Sequence, residues 1–251
     1  METEKQTEQP AVQPTVQQSE KKTVKKKKTK ISKWFIFIKL YLTLYNFFQF
    51  LGYSYVILVI LFKFVTQGHV LYENVGPIIK VLQLLQFLEV LNPLIGLTRG
   101  IPFVPFLQIF GRAVVLFWNV DIEPRIQAKP VVIYLIIIWS LVETVRYPFY
   151  LTQIYGKDVN MITWLRYTLW IPLYPAGFLC EYLIIYSNIP YFEETNKLSV
   201  TLPNEWNFAF HMPTFSRIHI CLLMAAGMYL MKHMHRVRMA RLQVLEELKV
   251  K

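Results

Sequence analysis

A tyrosine and a glutamate stand seven residues apart inside an apolar run of membrane-crossing length, Leu165 to Glu181, LRYTLWIPLYPAGFLCE. At about 100° per residue, seven positions return to nearly the same face of a helix, roughly 10 Å further along its axis. Tyr174 and Glu181 can therefore face one cavity. A phenol and a carboxyl that share a cavity are an acid and a base able to move protons on a bound molecule, and such work needs no metal or redox cofactor. An ionisable side chain at membrane depth is costly enough to be read as functional by default. The bland alternative for Glu181 is a lone hydrogen bond between helices. Pro172, Pro175 and Gly177 lie on either side of Tyr174. Proline removes a backbone donor and its ring clashes with the preceding turn, so this helix should bend or open, drawing the two groups together.

The elements that must position this pair are membrane helices. The 251 residues are 54% hydrophobic and 16% aromatic, and the mean hydropathy is +0.34, outside the range of a soluble domain of this length. Six segments approach the roughly 20 apolar residues that cross the hydrocarbon core: 36–62, 77–97, 101–119, 130–151, 161–186 and 213–231. Gln83, Gln86, Glu89, Asn92, Gln108 and Arg112 interrupt the second and third, which places those faces in a bundle interior. Runs this long exclude the alternating ten-residue pattern of a barrel. The expected fold is all-α, a polytopic bundle of six transmembrane helices over residues 34–232, between a disordered basic tail at 1–33 and a second basic tail at 233–251.

The net charge of +11 could point to nucleic acid, but the cations gather at the two ends of the chain. Lys21, Lys22, Lys25, Lys26, Lys27, Lys28, Lys30 and Lys33 precede the first span, and Lys232, Arg236, Arg238 and Arg241 follow the last. By the positive-inside rule both ends are cytosolic, which requires an even number of spans. The lysines either set this topology or also touch anionic lipid. The opening residues lack an apolar h-region, so the first span must itself direct insertion. Cys180 and Cys221 both fall in spans, which excludes a disulfide framework.

There is no GxGxxG, Walker loop, CxxC pair or HExxH, and His69, His211, His219, His233 and His235 form no closely spaced iron-binding box. No metal site is expected. Polar residues in the spans fall into three clusters: Glu89, Asn92 and Arg99; Glu143, Arg146, Tyr147 and Tyr150; and Arg166, Tyr167, Tyr174 and Glu181. Glu143 and Arg146 are three apart on one face and can pair with each other.

WSLVETVRYPFY, then WLRYTLWIPLYPAGFLCE, with LEVLNPLIGLTRG upstream, resembles the 3-hydroxyacyl-CoA dehydratases of very-long-chain fatty acid elongation, a family also called protein tyrosine phosphatase-like. The likeness runs from about residue 37 to 235. LYPxGxxxE after WLRY is specific, because it fixes a proline and a glycine within the Tyr to Glu spacing of seven. The phosphatase label suits the residues badly, since neither cysteine sits in a phosphate-cradling loop followed by arginine. The resemblance implies a hydro-lyase that dehydrates (3R)-3-hydroxyacyl-CoA to trans-2-enoyl-CoA in the endoplasmic reticulum membrane, the third step of each elongation round. Its partners would be the acyl-CoA substrate, the bilayer, and the condensing enzyme, ketoacyl-CoA reductase and enoyl-CoA reductase of the cycle. It places the catalytic pair on Tyr174 and Glu181, with Arg166 and Gly177 at positions needed for structural integrity. Which of the pair takes the proton next to the thioester stays open.

The substrate would combine a long acyl chain with a multiply charged CoA. Arg99, Arg146, Lys157 and Arg166, near the cytosolic ends of spans two to five, are candidates to hold the CoA phosphates, against a role in topology alone. A transporter is the competing class; it predicts internal repeats, and the three clusters do not repeat one another. A non-enzymatic membrane scaffold leaves the Tyr174 to Glu181 spacing unexplained.

Overall fold

In lipid every backbone polar group must find its partner inside the chain, and each long apolar run here closes its hydrogen bonds as helix. The computed structural model describes residues 33–201 and 208–250, with side chains described as far as Arg241. The stretch expected as an N-terminal tail lies outside the described residues, apart from Lys33.

The helices are α1 (Lys33–Gln67), α2 (Gly76–Gln86), α3 (Leu88–Leu94), α4 (Phe103–Ala113, continued by a π-helix over Val114–Val120), α5 (Pro124–Gln127), α6 (Pro130–Ile154), α7 (Asn160–Thr168), α8 (Trp170–Thr195) and α9 (Met212–Val250). Five spans are long and apolar enough to cross a membrane: α1, α2 with α3, α4 with its π-helix, α6 and α9. The bent pair α7 and α8 makes the sixth. The protein is an all-α, multi-pass membrane protein. The last helix does not stop with its apolar stretch but continues through the residues expected as a separate basic tail.

The spans alternate in direction. Tyr41, Tyr45 and Gln49 of α1 meet Asn92, Leu85 and Leu82 in reverse order. Tyr45 and Tyr53 approach Tyr147 of α6, while Lys39 lies over Tyr155 nearer its end. Against α6, α8 runs back, with Trp139 on Glu181 and Lys129 over Tyr191. Gly227 of α9 faces Phe178, and Met234 clusters with Trp170. With six crossings, α1 starts and α9 ends on the same face of the bundle, here termed the terminal face; the opposite one is the loop face.

The sides of α1 reverse the soluble pattern. Its buried stripe holds Tyr45, Asn46, Gln49, Tyr53, Val56 and Ile60, whereas Leu40, Leu44, Phe47, Leu51, Leu58 and Leu61 point outward. Polar groups turn inward because only protein, not lipid, offers them partners. Gln83, Gln86, Asn92 and Arg112, read as interior from the sequence, are all buried.

The bend in the fifth span has a specific cause. Pro172 lacks a backbone N–H and its ring presses on the carbonyl four residues back, which is Thr168, where α7 ends. The two segments meet at 40°. This break lies ahead of Tyr174, so it does not draw Tyr174 and Glu181 together as the sequence reading expected. Both stay on one continuous helix, with their helical spacing intact.

Ion pairs fasten the loop face. The Glu123 carboxylate takes the Arg125 Nε at 2.7 Å and the Lys197 Nζ at 3.2 Å, and Arg125 also reaches Glu194 at 2.6 Å. Hydrogen bonds from Arg125, then Lys197, hold the Glu123 carboxyl down at about 2, against about 4.3 for a free glutamate. A carboxyl lowered by folding stabilises fully above its unfolded value, and the benefit disappears as pH falls towards the folded one. The melting-temperature gap between wild type and Glu123→Gln should thus shrink as pH drops from about 5 to about 2. A gap constant across that range would assign Glu123 no such role.

Candidate active site

On α8 the inward face is Trp170, Tyr174, Gly177, Glu181, Ile184 and Asn188, a three-and-four spacing that sets Tyr174 and Glu181 on one side as the sequence predicts. Tyr174 is 8% exposed and Glu181 5%. Both line a single cavity of about 720 Å³ walled by α4, α6, α8 and α9, within the roughly 300–1,000 Å³ of small-molecule sites. Its other walls are mainly aromatic and aliphatic, with Arg112, Gln108 and His219 as the further polar members.

Glu181 is held in place. The Trp139 indole donates from Nε1 to Glu181 Oε1 at 3.1 Å, fixing one carboxylate oxygen and leaving the other for the cavity. The Tyr174 ring is gripped edge-on between Trp170 and Phe178, at centroid distances of 6.2 and 6.4 Å. Arg112 stands over the Trp139 ring at 5.4 Å and is in electrostatic reach of both Glu181 and Tyr174. The site thus brings a phenol, a carboxyl and a fixed positive charge to one apolar enclosure, an arrangement suited to moving protons on a bound molecule.

Arg112 is anchored from behind by a buried chain of alternating charges. Its guanidinium pairs with Glu143, Glu143 Oε2 lies 2.6 Å from Arg146 Nε, and Arg146 Nη2 lies 2.9 Å from Glu89 Oε1. Tyr147 and Tyr45 donate to the same Glu89 oxygen at 2.7 and 3.1 Å, and Gln86 donates to the Tyr147 hydroxyl. The Glu143 and Arg146 pair expected from their spacing is therefore one link of a longer network.

The other sequence candidates are dispersed. Arg99 and Lys157 are exposed and Arg166 is half-buried, beside Val142, Leu169 and Trp170 and in electrostatic reach of Tyr150 and Tyr174. Arg146 is not at a mouth but buried, with its guanidinium committed to Glu143 and Glu89. Gly177 forms part of the cavity wall. A Cβ there would meet only Ile138, at an ordinary 3.5 Å, so its missing side chain leaves room for an occupant rather than for a neighbouring helix. Arg112, Trp139 and His219 were not singled out from the sequence as site residues. The available signal was that Trp139, Glu143 and Arg146 share one helical face with spacings of four and three. Among the described residues no cluster of His, Cys, Asp and Glu could hold a metal ion.

Fold and site together define a polytopic helical membrane protein with a carboxyl and phenol pair in an enclosed apolar cavity. The chain belongs to the family described as protein tyrosine phosphatase-like protein, PTPLA, whose model matches residues 83–244. It is similar to a chicken (Gallus gallus) very-long-chain (3R)-3-hydroxyacyl-CoA dehydratase, 36% identical over 188 residues, covering 73% of this chain and 52% of that one. The human dehydratase 3 is 33% identical over 206 residues, 80% of this chain and 57% of its own. The mouse dehydratase 4 is 30% identical over 208 residues, 81% and 89%. The chain thus spans about half the length of several relatives, including the chicken protein, and most of the length of the mouse dehydratase 4. No solved structure matches.

Removing one partner of a buried pair strands the other charge, at a cost of about 3–5 kcal/mol. Arg112→Met should destabilise the protein by that order in detergent unfolding, and Arg112→Met combined with Glu143→Leu should recover part of the loss. A double variant as unstable as the sum of the two single ones would show that the two residues do not act as a pair.

Proposed function

We propose that this protein dehydrates a (3R)-3-hydroxyacyl-CoA to the trans-2-enoyl-CoA, with Tyr174 and Glu181 as the acid/base pair. The observation that carries the reading is that these two residues, on one face of α8, line the same apolar cavity, in a chain similar to dehydratases so named. Loss of water requires removal of the proton next to the thioester and departure of the 3-hydroxyl with a proton of its own. One group of each kind suffices. Tyr174 transfers a proton at the substrate, while Glu181, oriented by Trp139, polarises the substrate and assists departure of the hydroxyl as water. Arg112 supplies fixed positive charge beside the pair. Metal or redox chemistry plays no part in this scheme, and no cofactor is invoked.

The same reading gives the protein its setting. It works in the endoplasmic reticulum membrane, as the third step of the very-long-chain elongation cycle, alongside the condensing enzyme and the two reductases. The terminal face, and both termini with it, is cytosolic. Arg99, Lys157 and Arg166 hold the CoA phosphates there, while the reacting carbons reach inward to the cavity. Arg146 acts through the buried network, and Gly177 keeps the cavity wall low beside the substrate.

Positioned acid and base groups contribute about 100- to 10,000-fold each. Purified protein should convert a long-chain (3R)-3-hydroxyacyl-CoA to its enoyl product, and Tyr174→Phe or Glu181→Gln should lower kcat on that order with unchanged melting. Trp139→Phe, which frees the Glu181 carboxylate, should lower kcat by less than either. Absence of wild-type turnover, or full activity in Glu181→Gln, would overturn the assignment.

A further inference from the structure

The cavity is closed on one side and open on another. Its α6 and α8 wall is sealed, with Trp139, Val142, Tyr174 and Glu181 all buried. Its α4 and α9 wall is not: Phe106, Phe110 and Leu222 line the cavity yet are 41%, 48% and 59% exposed, so they stand on a rim. Rings close this seam at its two ends, Phe103 against Tyr229 and Trp118 against Phe215, at centroid distances of 6.4 and 5.6 Å. Between them α9 presents Leu222, Ala225 and Ala226 on one stripe, and the two alanines leave the middle of the seam wide. Both helices are membrane spans, so the gap faces the hydrocarbon of the bilayer.

Length decides what the gap is for. Phe178 lies against Gly227, so on antiparallel helices Glu181 is level with about residue 224 of α9. From there to the ring pair at Phe215 is nine residues, about 13 Å at 1.5 Å per residue. An extended chain advances about 1.2 Å per bond, so the enclosed part holds about eleven bonds beyond the reacting carbons. A twenty-carbon acyl chain needs about seventeen. Phe110 and Leu222, by the same register, lie close to the level of Glu181, where the chain can turn outward.

We propose that the seam between α4 and α9 is a lateral doorway through which the acyl tail of the substrate lies in the bilayer while its reacting end is held at Tyr174 and Glu181. The identity of that tail rests on the dehydratase reading; the opening itself does not. The tail then never has to leave lipid, and the cavity encloses only the part of the chain nearest the thioester.

The probe is a twenty-carbon acyl-CoA, lacking the 3-hydroxyl, with a photoreactive diazirine at carbon ten, applied to full-length protein in phosphatidylcholine nanodiscs and mapped by peptide mass spectrometry. Labelling at Phe106, Phe110, Leu222 or Ala225 is expected. Labelling confined to Trp118, Phe215 and His219 would place the tail at the loop-face end and overturn the doorway, as would no labelling at all. As a second arm, Ala225→Trp should reduce doorway labelling and lower the ratio of twenty-carbon to eight-carbon turnover by about tenfold, and equal loss on both lengths would count against it. Doorway labelling in a wild type that dehydrates neither length would remove the dehydratase reading and leave the doorway standing.

Discussion

Four charges buried in a membrane bundle must cancel, and here they do so in a line. Arg112, Glu143, Arg146 and Glu89 alternate in sign across α4, α6 and α3, while Tyr45 of α1 contributes its hydroxyl to the last of them. An unpaired ion in hydrocarbon is among the most expensive defects a membrane protein can carry. Each helix that supplies a charge therefore has few tolerable positions relative to the next. The network fixes Arg112, Arg112 backs the Trp139 ring, and Trp139 aims Glu181. A cavity-lining carboxyl on α8 is thus oriented by contacts that begin on the far side of the bundle.

This explains how the molecule divides its labour. α1, α2 and α3 contribute nothing to the cavity lining, yet they hold much of the hydrogen bonding around Glu89. α4, α6, α8 and α9 build the cavity and leave one side of it loosely closed. The π-helical turn after Ala113 belongs to the same design: Asn119 takes its own Val114 carbonyl, and Asn188 of α8 takes the carbonyl of Asn119. Backbone groups loosened by the wider turn thus find partners on side chains.

Much of this was legible in the sequence, and the reasons are physical. Apolar runs of crossing length have one backbone solution in lipid, so six spans could be read with starts close to those observed, whereas α8 and α9 run on well past the ends that hydropathy gives. The shared face of Tyr174 and Glu181 on α8 follows from helical spacing alone, whereas the place of Gly177 beside them in the cavity wall emerges only from the packing. Arg146 shows where spacing stops being enough: its pairing with Glu143 was visible, but Glu89 lies 57 positions away and only tertiary packing joins them. Trp139 and Arg112 were hidden for the same reason. Arg112 read as an interruption of a span, since nothing in the local sequence tells an arginine facing an acid from one facing a pore. The bend was expected near the prolines of the span; its placement follows from which carbonyl the Pro172 ring strikes.

Tyr174 and Glu181 ride on one uninterrupted stretch of helix, below the break at Leu169. Their separation is set by a run of local backbone hydrogen bonds, the least deformable ruler a protein possesses. Neighbouring helices can breathe or shift with bilayer thickness, and the two groups keep station relative to each other. What such motion changes is the fit of everything around them, so tolerance for varied lipid surroundings and constancy of the pair's geometry can coexist in the same bundle.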